Sequence, residues 1–266
     1  MLQPHACFTI QMSTFHPSHP THNRLLAALP PIELDDLAPH LELVHLLPGD
    51  VLCKPGETLP YAYFPTSSVI SIHCMLENGA SSELTSVGRE GMLGVSLFMG
   101  GEATQNWVSV QSAGYGYRLN AAFLLQEFNE GGMLQRLLLR YSQALITEAV
   151  QNVVCSRYHT AQQRLCRWLL SMLDRLGPQD LILTQESIAS ILGVRRESVT
   201  AIARKLLEAG TICYRRGHIM VIDQIGLQKE TCECYKKVKK EFDQVFDEVK
   251  TCEKVRQNSI NAANAL

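Results

Sequence analysis

This chain of 266 residues is most easily bounded by what it lacks. No apolar run reaches the roughly 18–20 residues that a bilayer-spanning helix requires. The N-terminal stretch MLQPHACFTIQMSTFHPSHPTHN has no basic start followed by a continuous apolar core, so no secretory signal is expected. The 9 cysteines are an odd set without framework spacing, which fits a reduced cytoplasm rather than a disulfide scaffold. There is no Gly-rich phosphate loop, no Ser nucleophile elbow and no HExxH, so the common catalytic signatures are missing.

Metal ligands are sparse by the same reading. Cys232-Glu233-Cys234 is the only close cysteine pair, with Cys252 farther along the same charged segment. No Cys-x-x-Cys and no second pair lies nearby, and helical spacing would turn Cys232 and Cys234 onto different faces. His5, His16, His19 and His22 sit among Pro, Ser and Thr, the composition of a polar tail rather than of a metal site. The expectation is therefore no metal and no cofactor.

Charge is unevenly placed. The formal net charge is -2, which argues against a generally basic, sticky protein. Yet residues 156–222 hold 10 Lys+Arg against 5 Asp+Glu, residues 1–155 hold 6 against 13, and residues 223–266 hold 8 of each. One basic module in an otherwise acidic chain is the asymmetry expected when a single part meets a polyanion.

That module contains LTQESIASILGVRRESVTAIARKLLEAG, from Leu183 to Gly210. It reads as two short helices joined at Gly193-Val194. Thr184 is placed to cap the first, with Glu186 in its first turn, and Gly193 permits the tight turn. In the second helix Val199, Ile202, Ala203, Leu206 and Leu207 recur at helical period and predict a buried stripe. The opposite face carries Arg196, Glu197, Thr200, Arg204 and Lys205. Such a helix fits a DNA major groove, where Arg can donate to guanine O6 and N7 and Glu can accept from cytosine N4. After Gly210, residues 211–214 and 218–222 read as two strands around Arg215-Arg216-Gly217, a wing whose arginines suit phosphate. A solvated amphipathic helix beside an ordinary hairpin is the bland alternative, but it leaves Arg195, Arg196, Arg204, Lys205, Arg215 and Arg216 without a common purpose.

Residues 41–119 have another texture. Short apolar runs alternate with Pro48-Gly49-Asp50, Pro55-Gly56, Asn78-Gly79, Gly88 and Gly100-Gly101, the pattern of many short strands closing into a sandwich or barrel. Such a barrel can hold a small molecule or be filled by its own side chains. Next comes a long helical stretch, residues 133–158. Leu134, Leu138, Tyr141, Leu145 and Ala149 form a seam suited to a partner helix, while Leu137, Leu139, Ile146, Val150 and Val153 widen the apolar surface. One face is expected against the barrel and another against a second copy. Tyr235, Val238, Phe242, Val245, Phe246 and Val249 then mark an apolar stripe on a terminal helix, packed on the wing or extending the dimer contact.

This order of parts resembles the Crp/Fnr family of bacterial transcription regulators. The most specific portion is GVRRESVTAIARKL, and LPGDVLCKPGE and GREGMLGV are similar to the family's cyclic-nucleotide-binding-type β-roll. The resemblance, which covers roughly residues 41–222, implies an α+β fold with a jelly-roll-like β-roll sensor domain (23–125), a dimerisation helix (126–156) and a winged helix-turn-helix (157–223); composition adds a flexible tail (1–22) before it and a helical extension and tail (224–266) after it. It implies a cytoplasmic homodimer that binds a palindromic operator in double-stranded DNA and contacts RNA polymerase, without enzymatic activity. Arg196 and Glu197 match the family's base-reading pair, and Ser198 matches a small hydroxyl residue that can contact phosphate. Arg195 replaces a common capping residue. The next DNA-contacting Arg of the family falls on Ala201, so base preference does not carry over.

The sensor departs further. Cyclic-AMP receptors of the family hold the cyclic phosphate through a Gly-Glu pair and an Arg-Ser pair ten residues later. Aligned on Gly94, these positions are Val95, Gln105 and Asn106, which lack the carboxylate and the positive charge. A lost charge-assisted contact of about 1.5–3 kcal/mol disfavours cyclic-AMP control; a shifted alignment would instead recruit Arg89. An iron–sulfur sensor needs several thiolates near the N-terminus, where Cys7 stands alone. A haem sensor needs axial ligands, and strand alternation sends His73 and Cys74 to opposite faces. The small-molecule effector is therefore unassigned. A cupin-like metal enzyme would need clustered histidines, yet the barrel has only His45 and His73. A protein-interaction scaffold is the remaining alternative.

Overall fold

The computed structural model describes residues 19–247 except 78, 80, 102, 178–180 and 216. Pro20–His22 forms a 3-10 turn, and the buried Asn23 donates through Nδ2 to the carbonyls of Pro65 and Gly91. Helices α1 (Arg24–Ala27) and α2 (Pro31–Leu37) follow.

Strands β1 (Glu42–Leu46), β2 (Val51–Cys53), β3 (Tyr61–Pro65), β4 (Val69–Met75), β5 (Ser81–Val87), β6 (Trp107–Ser112) and β7 (Gly114–Asn120) build the β-roll. They form two antiparallel sheets, ordered β1-β7-β3 and β2-β6-β4-β5. Alternation turns Leu46, Tyr63, Ile70, Val108 and Val110 inward, where they pack with Cys53, Leu59 and Leu93. The roll is thus filled by its own side chains in this region.

Asn120 caps α3 (Ala121–Glu130), its Oδ1 accepting from the Ala122 and Phe123 amides. Gly131, at φ 91°, ends α3, and Gly132, at φ 85°, opens α4 (Gly132–Tyr158). The Glu33 carboxylate then accepts from the Met133 and Leu134 amides, neutralising the α4 N-terminus.

The faces of α4 differ from the expected assignment. Leu134, Leu138 and Tyr141 are buried within the chain, in one core with Leu26, Phe64, Met92 and Leu119. Their seam meets the roll because α1, β3 and β7 occupy that side, leaving no room there for a partner helix. Leu145 is half-buried and Ala149 exposed. The uncovered apolar side chains instead include Leu139, Ile146, Val150 and Val153, at 52%, 50%, 55% and 68% exposure, with Val154 and Tyr158 toward the helix end.

The terminal helix, residues 234–247, also packs on this core. Val238, Phe242, Val245 and Phe246 are buried with Tyr141, and Arg24 lies over the Phe246 ring at 4.2 Å. Only Tyr235 joins the hydrophobic cluster of the winged half. Val249 and Cys252 lie outside the described residues.

A capping box of Thr160 and Gln163 starts α5 (Ala161–Leu176), a helix that had no counterpart in the sequence reading. Beyond it come β8 (Leu181–Ile182), α6 (Gln185–Leu192), α7 (Arg196–Glu208), β9 (Ile212–Arg215), β10 (His218–Val221) and α8 (Gln224–Glu230). This half docks on β5: Trp168 Nε1 donates to Glu83 Oε1 at 3.2 Å, and the Ser81 and Ser190 hydroxyls meet at 2.6 Å.

Candidate nucleic-acid interface

The helix pair is built as its residues dictate. Thr184 Oγ1 accepts from the Ser187 amide at 3.0 Å, with Glu186 in the first turn of α6. Gly193 adopts φ 61° and ψ 43°, a left-handed conformation that ends α6 and swings the chain into α7. The α6 C-terminus is sealed by Arg164, whose guanidinium donates to the Leu192 carbonyl; that charge is spent on structure. Arg195 caps α7 without a side-chain hydrogen bond, as its replacement of a capping residue implies.

Val199, Ile202 and Leu206 are buried in one cluster with residues of α5 and α6, and Ala203 is buried too, as the stripe predicts. Leu207 departs from it and is 46% exposed, because each further residue on a helix rotates about 100° and carries position 207 past the contact.

The opposite face is open. Arg195, Arg196, Glu197, Thr200, Arg204 and Lys205 are exposed, and Ser198 is half-buried. Local partners hold several of them. Thr200 Oγ1 donates to Gln185 Oε1 at 2.6 Å, linking α7 to the start of α6. Arg204 Nε donates to Glu208 at 2.9 Å, and Arg196 Nε lies 4.0 Å from Glu186. Exposed pairs of this kind contribute about 0–1 kcal/mol, so a phosphate or base edge can displace them.

Strands β9 and β10 pair antiparallel, and β8 adds a third strand on β10. Arg215 is exposed beside the turn, while Arg216 lies outside the described residues. Gly217 takes φ 82°, as a tight hairpin requires.

The expected effector positions look different in place. Gly94 adopts φ 115° and opens the 3-10 turn Val95–Leu97. Val95 packs against the main core and is spent there. Gln105 is exposed, and Asn106 closes a local turn by donating from its amide to Thr104 Oγ1. Arg89 turns to α5, donating to the Asp174 carbonyl at 3.2 Å. Its guanidinium is engaged at the junction of the two halves.

His45 and His73 stand on different sheets, on β1 and β4. The grouping that does exist among the described residues is Cys155, His159, Cys232 and Cys234. It corrects the expectation that Cys232 and Cys234 diverge. Cys232 precedes the helix, which begins at residue 234, so helical spacing does not apply and both thiols turn to the α4 C-terminus. The Cys155–Cys232 contact spans 77 residues of sequence, a separation that local motif reading does not cover.

Comparison with known proteins agrees with this architecture. Residues 163–230 match the family model described as a Crp-like helix-turn-helix domain. No curated protein matches the sequence. Among solved structures, FixK2 from Bradyrhizobium japonicum is similar with a TM-score of 0.62 at 14% identity, covering 72% of this chain and 98% of its own. A CRP/FNR-family transcriptional regulator from Thermus thermophilus gives 0.55 at 22% identity, covering 71% and 97%. The c-di-GMP responsive global regulator CLP from Xanthomonas campestris gives 0.55 at 16% identity, again covering 71% and 97%. Residues 163–230 thus form a Crp-like helix-turn-helix domain, carried on a fold shared with these solved regulators.

Proposed function

We propose that the protein is a homodimeric reader of a palindromic operator in double-stranded DNA, acting in the cytoplasm without catalytic activity. The observation that carries this reading is the first turn of α7. Arg196 and Glu197 project there from a helix whose other face is buried. They serve base readout, Arg to guanine and Glu to cytosine. Thr200 and Arg204 line the groove, and Arg195, Ser198, Lys205, Arg215 and Arg216 meet phosphate.

Dimerisation runs along α4 through Leu139, Ile146, Val150 and Val153. Their steps of seven, four and three residues are those of a two-helix seam, and all four are uncovered. A twofold pairing places two recognition helices about 34 Å apart, the spacing of successive major grooves. RNA polymerase is the partner through which bound DNA is converted into altered transcription.

Cyclic AMP is not the effector in this reading. The half-buried Val95 packs its apolar side chain against the core and Arg89 is held by α5, so neither the carboxylate nor the cation of a cyclic-phosphate site is supplied. Isothermal titration is expected to show no micromolar cyclic-AMP binding. The decisive experiment is selection of bound sequences from random duplex DNA by the purified protein. Enrichment of a palindrome with half-sites one helical turn apart is expected; no enrichment, with or without metabolite extract, would overturn the reading.

A further inference from the structure

Three buried thiols converge where α4 ends. Cys155 leaves the last turn of α4, and Cys232 and Cys234 come from the segment after α8; together they form a cluster separate from the larger cores. A fourth ligand type joins them. His159, the C-cap of α4, has extended dihedrals of φ -108° and ψ 148°, which bring its ring back beside Cys155 four residues earlier. The four potential ligand atoms all lie within 4.8 Å of one another.

The distances suit one ion. Cys155 Sγ lies 3.5 Å from Cys232 Sγ, and His159 Nδ1 lies 3.6 Å from Cys234 Sγ. A tetrahedron with metal–sulfur bonds of about 2.3 Å has edges of about 3.8 Å. A two-iron cluster divides its ligands between two metals and holds the pairs apart by its own width, so it fits this compact set poorly. A cupin-type or hard-cation site would offer oxygen ligands, and here the close groups are sulfur and imidazole.

The histidine is oriented from outside. Its Nε2 lies 3.3 Å from the Glu233 carboxylate, which fixes the tautomer that leaves Nδ1 free to ligate. A carboxylate behind a metal-binding imidazole is the arrangement that raises ligand basicity and holds ring orientation. Glu233 sits between the two cysteines in sequence, so one short segment supplies two thiols and the outer partner.

We propose that Cys155, His159, Cys232 and Cys234 form a closed, four-ligand site for one zinc-type divalent cation. All positions are filled by protein, so the site is structural and leaves none for substrate. It fastens the end of the dimerisation helix to the segment entering the terminal helix, across the junction from which α5 and the DNA-reading half depart. Binding displaces the thiol protons, and the net site charge with three thiolates and one divalent cation is -1.

The test uses the full-length protein purified under reducing conditions. One equivalent of zinc per chain is expected by elemental analysis. Replacing it with cobalt should produce thiolate-to-cobalt charge transfer and the intense visible bands of a tetrahedral ion. Cys155→Ser and Cys234→Ser should lose the stoichiometric metal. Glu233→Gln, which removes no ligand and touches no core residue, should keep the fold and raise the metal dissociation constant about 10–100-fold. Reduced wild-type protein that takes up neither zinc nor cobalt overturns the proposal, as does stoichiometric iron with sulfide. A Cys155–Cys232 disulfide that persists through purification without metal overturns it too. None of these readouts involves DNA, so the site and the DNA reading succeed or fail separately.

Discussion

Arg175 Nη2 donates to Glu148 Oε1 at 2.8 Å, and both side chains are almost wholly withdrawn from solvent. The same guanidinium donates from Nε to Glu90 at 3.0 Å. One residue of α5 therefore joins the β-roll, α4 and the DNA-reading half. Gly88 makes this possible, since a Cβ there would fall 2.5 Å from that of Arg175. Arg175→Ala leaves two buried carboxylates without their cation and is expected to cost about 3–5 kcal/mol, read as a lowered urea midpoint. Adding Glu148→Gln should recover part of the loss by removing one unpaired charge. A single-variant loss below about 1 kcal/mol would show that water replaces the pair.

Glu83 gives the junction a pH dependence of opposite sense to most carboxylates. Burial pushes its carboxyl above the usual range, against hydrogen bonds from Ser71 and Trp168 and the charge of Arg175. The folded state thus holds this proton more tightly than the unfolded chain. Its contribution is full below the ordinary carboxylate value and is lost as pH rises through the raised one. Glu83→Gln is neutral throughout, so its stability relative to wild type should improve as pH climbs from about 4.5 toward neutrality. Paired unfolding curves at several pH values check this; a difference independent of pH contradicts it.

The exposed seam of α4 makes a separate prediction about assembly. Val150 is 55% exposed at its centre, so Val150→Glu disturbs little within one chain. Two such charges facing each other across a dimer axis would be desolvated and repelled. Light scattering should report a monomer with near-wild-type unfolding, and operator affinity should fall at least tenfold because two half-sites no longer act together. A variant that stays dimeric would move the interface elsewhere.

How much of this was legible in the sequence follows from where each signal lies. Helix α7 has one buried and one wet face, so period alone identified Val199, Ile202 and Leu206 as core. Helix α4 has two interleaved apolar seams, and period cannot say which meets its own roll; Tyr141 went to the core and Val150 to solvent. The stripe of Val238, Phe242 and Phe246 was visible, but its partner is Tyr141, roughly a hundred residues earlier. The cysteine site escaped for the same reason, since Cys155 and Cys232 meet only through the path of the whole chain. Val95 reads as a pocket residue by alignment, and in place it is half-buried with its side chain against the main core.

The division of labour along α7 can be separated by salt and sequence. Arg196 starts the helix on its exposed face, where a guanidinium reaches base edges once the N-terminus enters the groove. Lys205 sits in its last turn, exposed, and in the proposed reading it meets backbone phosphate. Arg196→Ala should therefore cost about 1–3 kcal/mol at the selected operator and relax preference at one base pair in each half-site. Lys205→Ala should weaken selected and random duplexes alike and reduce the slope of log affinity against log salt by about 0.9 per neutralised phosphate. Titrations of both variants at several salt concentrations, on both duplexes, distinguish the two roles. If Arg196→Ala weakened every duplex equally, α7 would be lying along the backbone, and sequence reading would have to come from the wing.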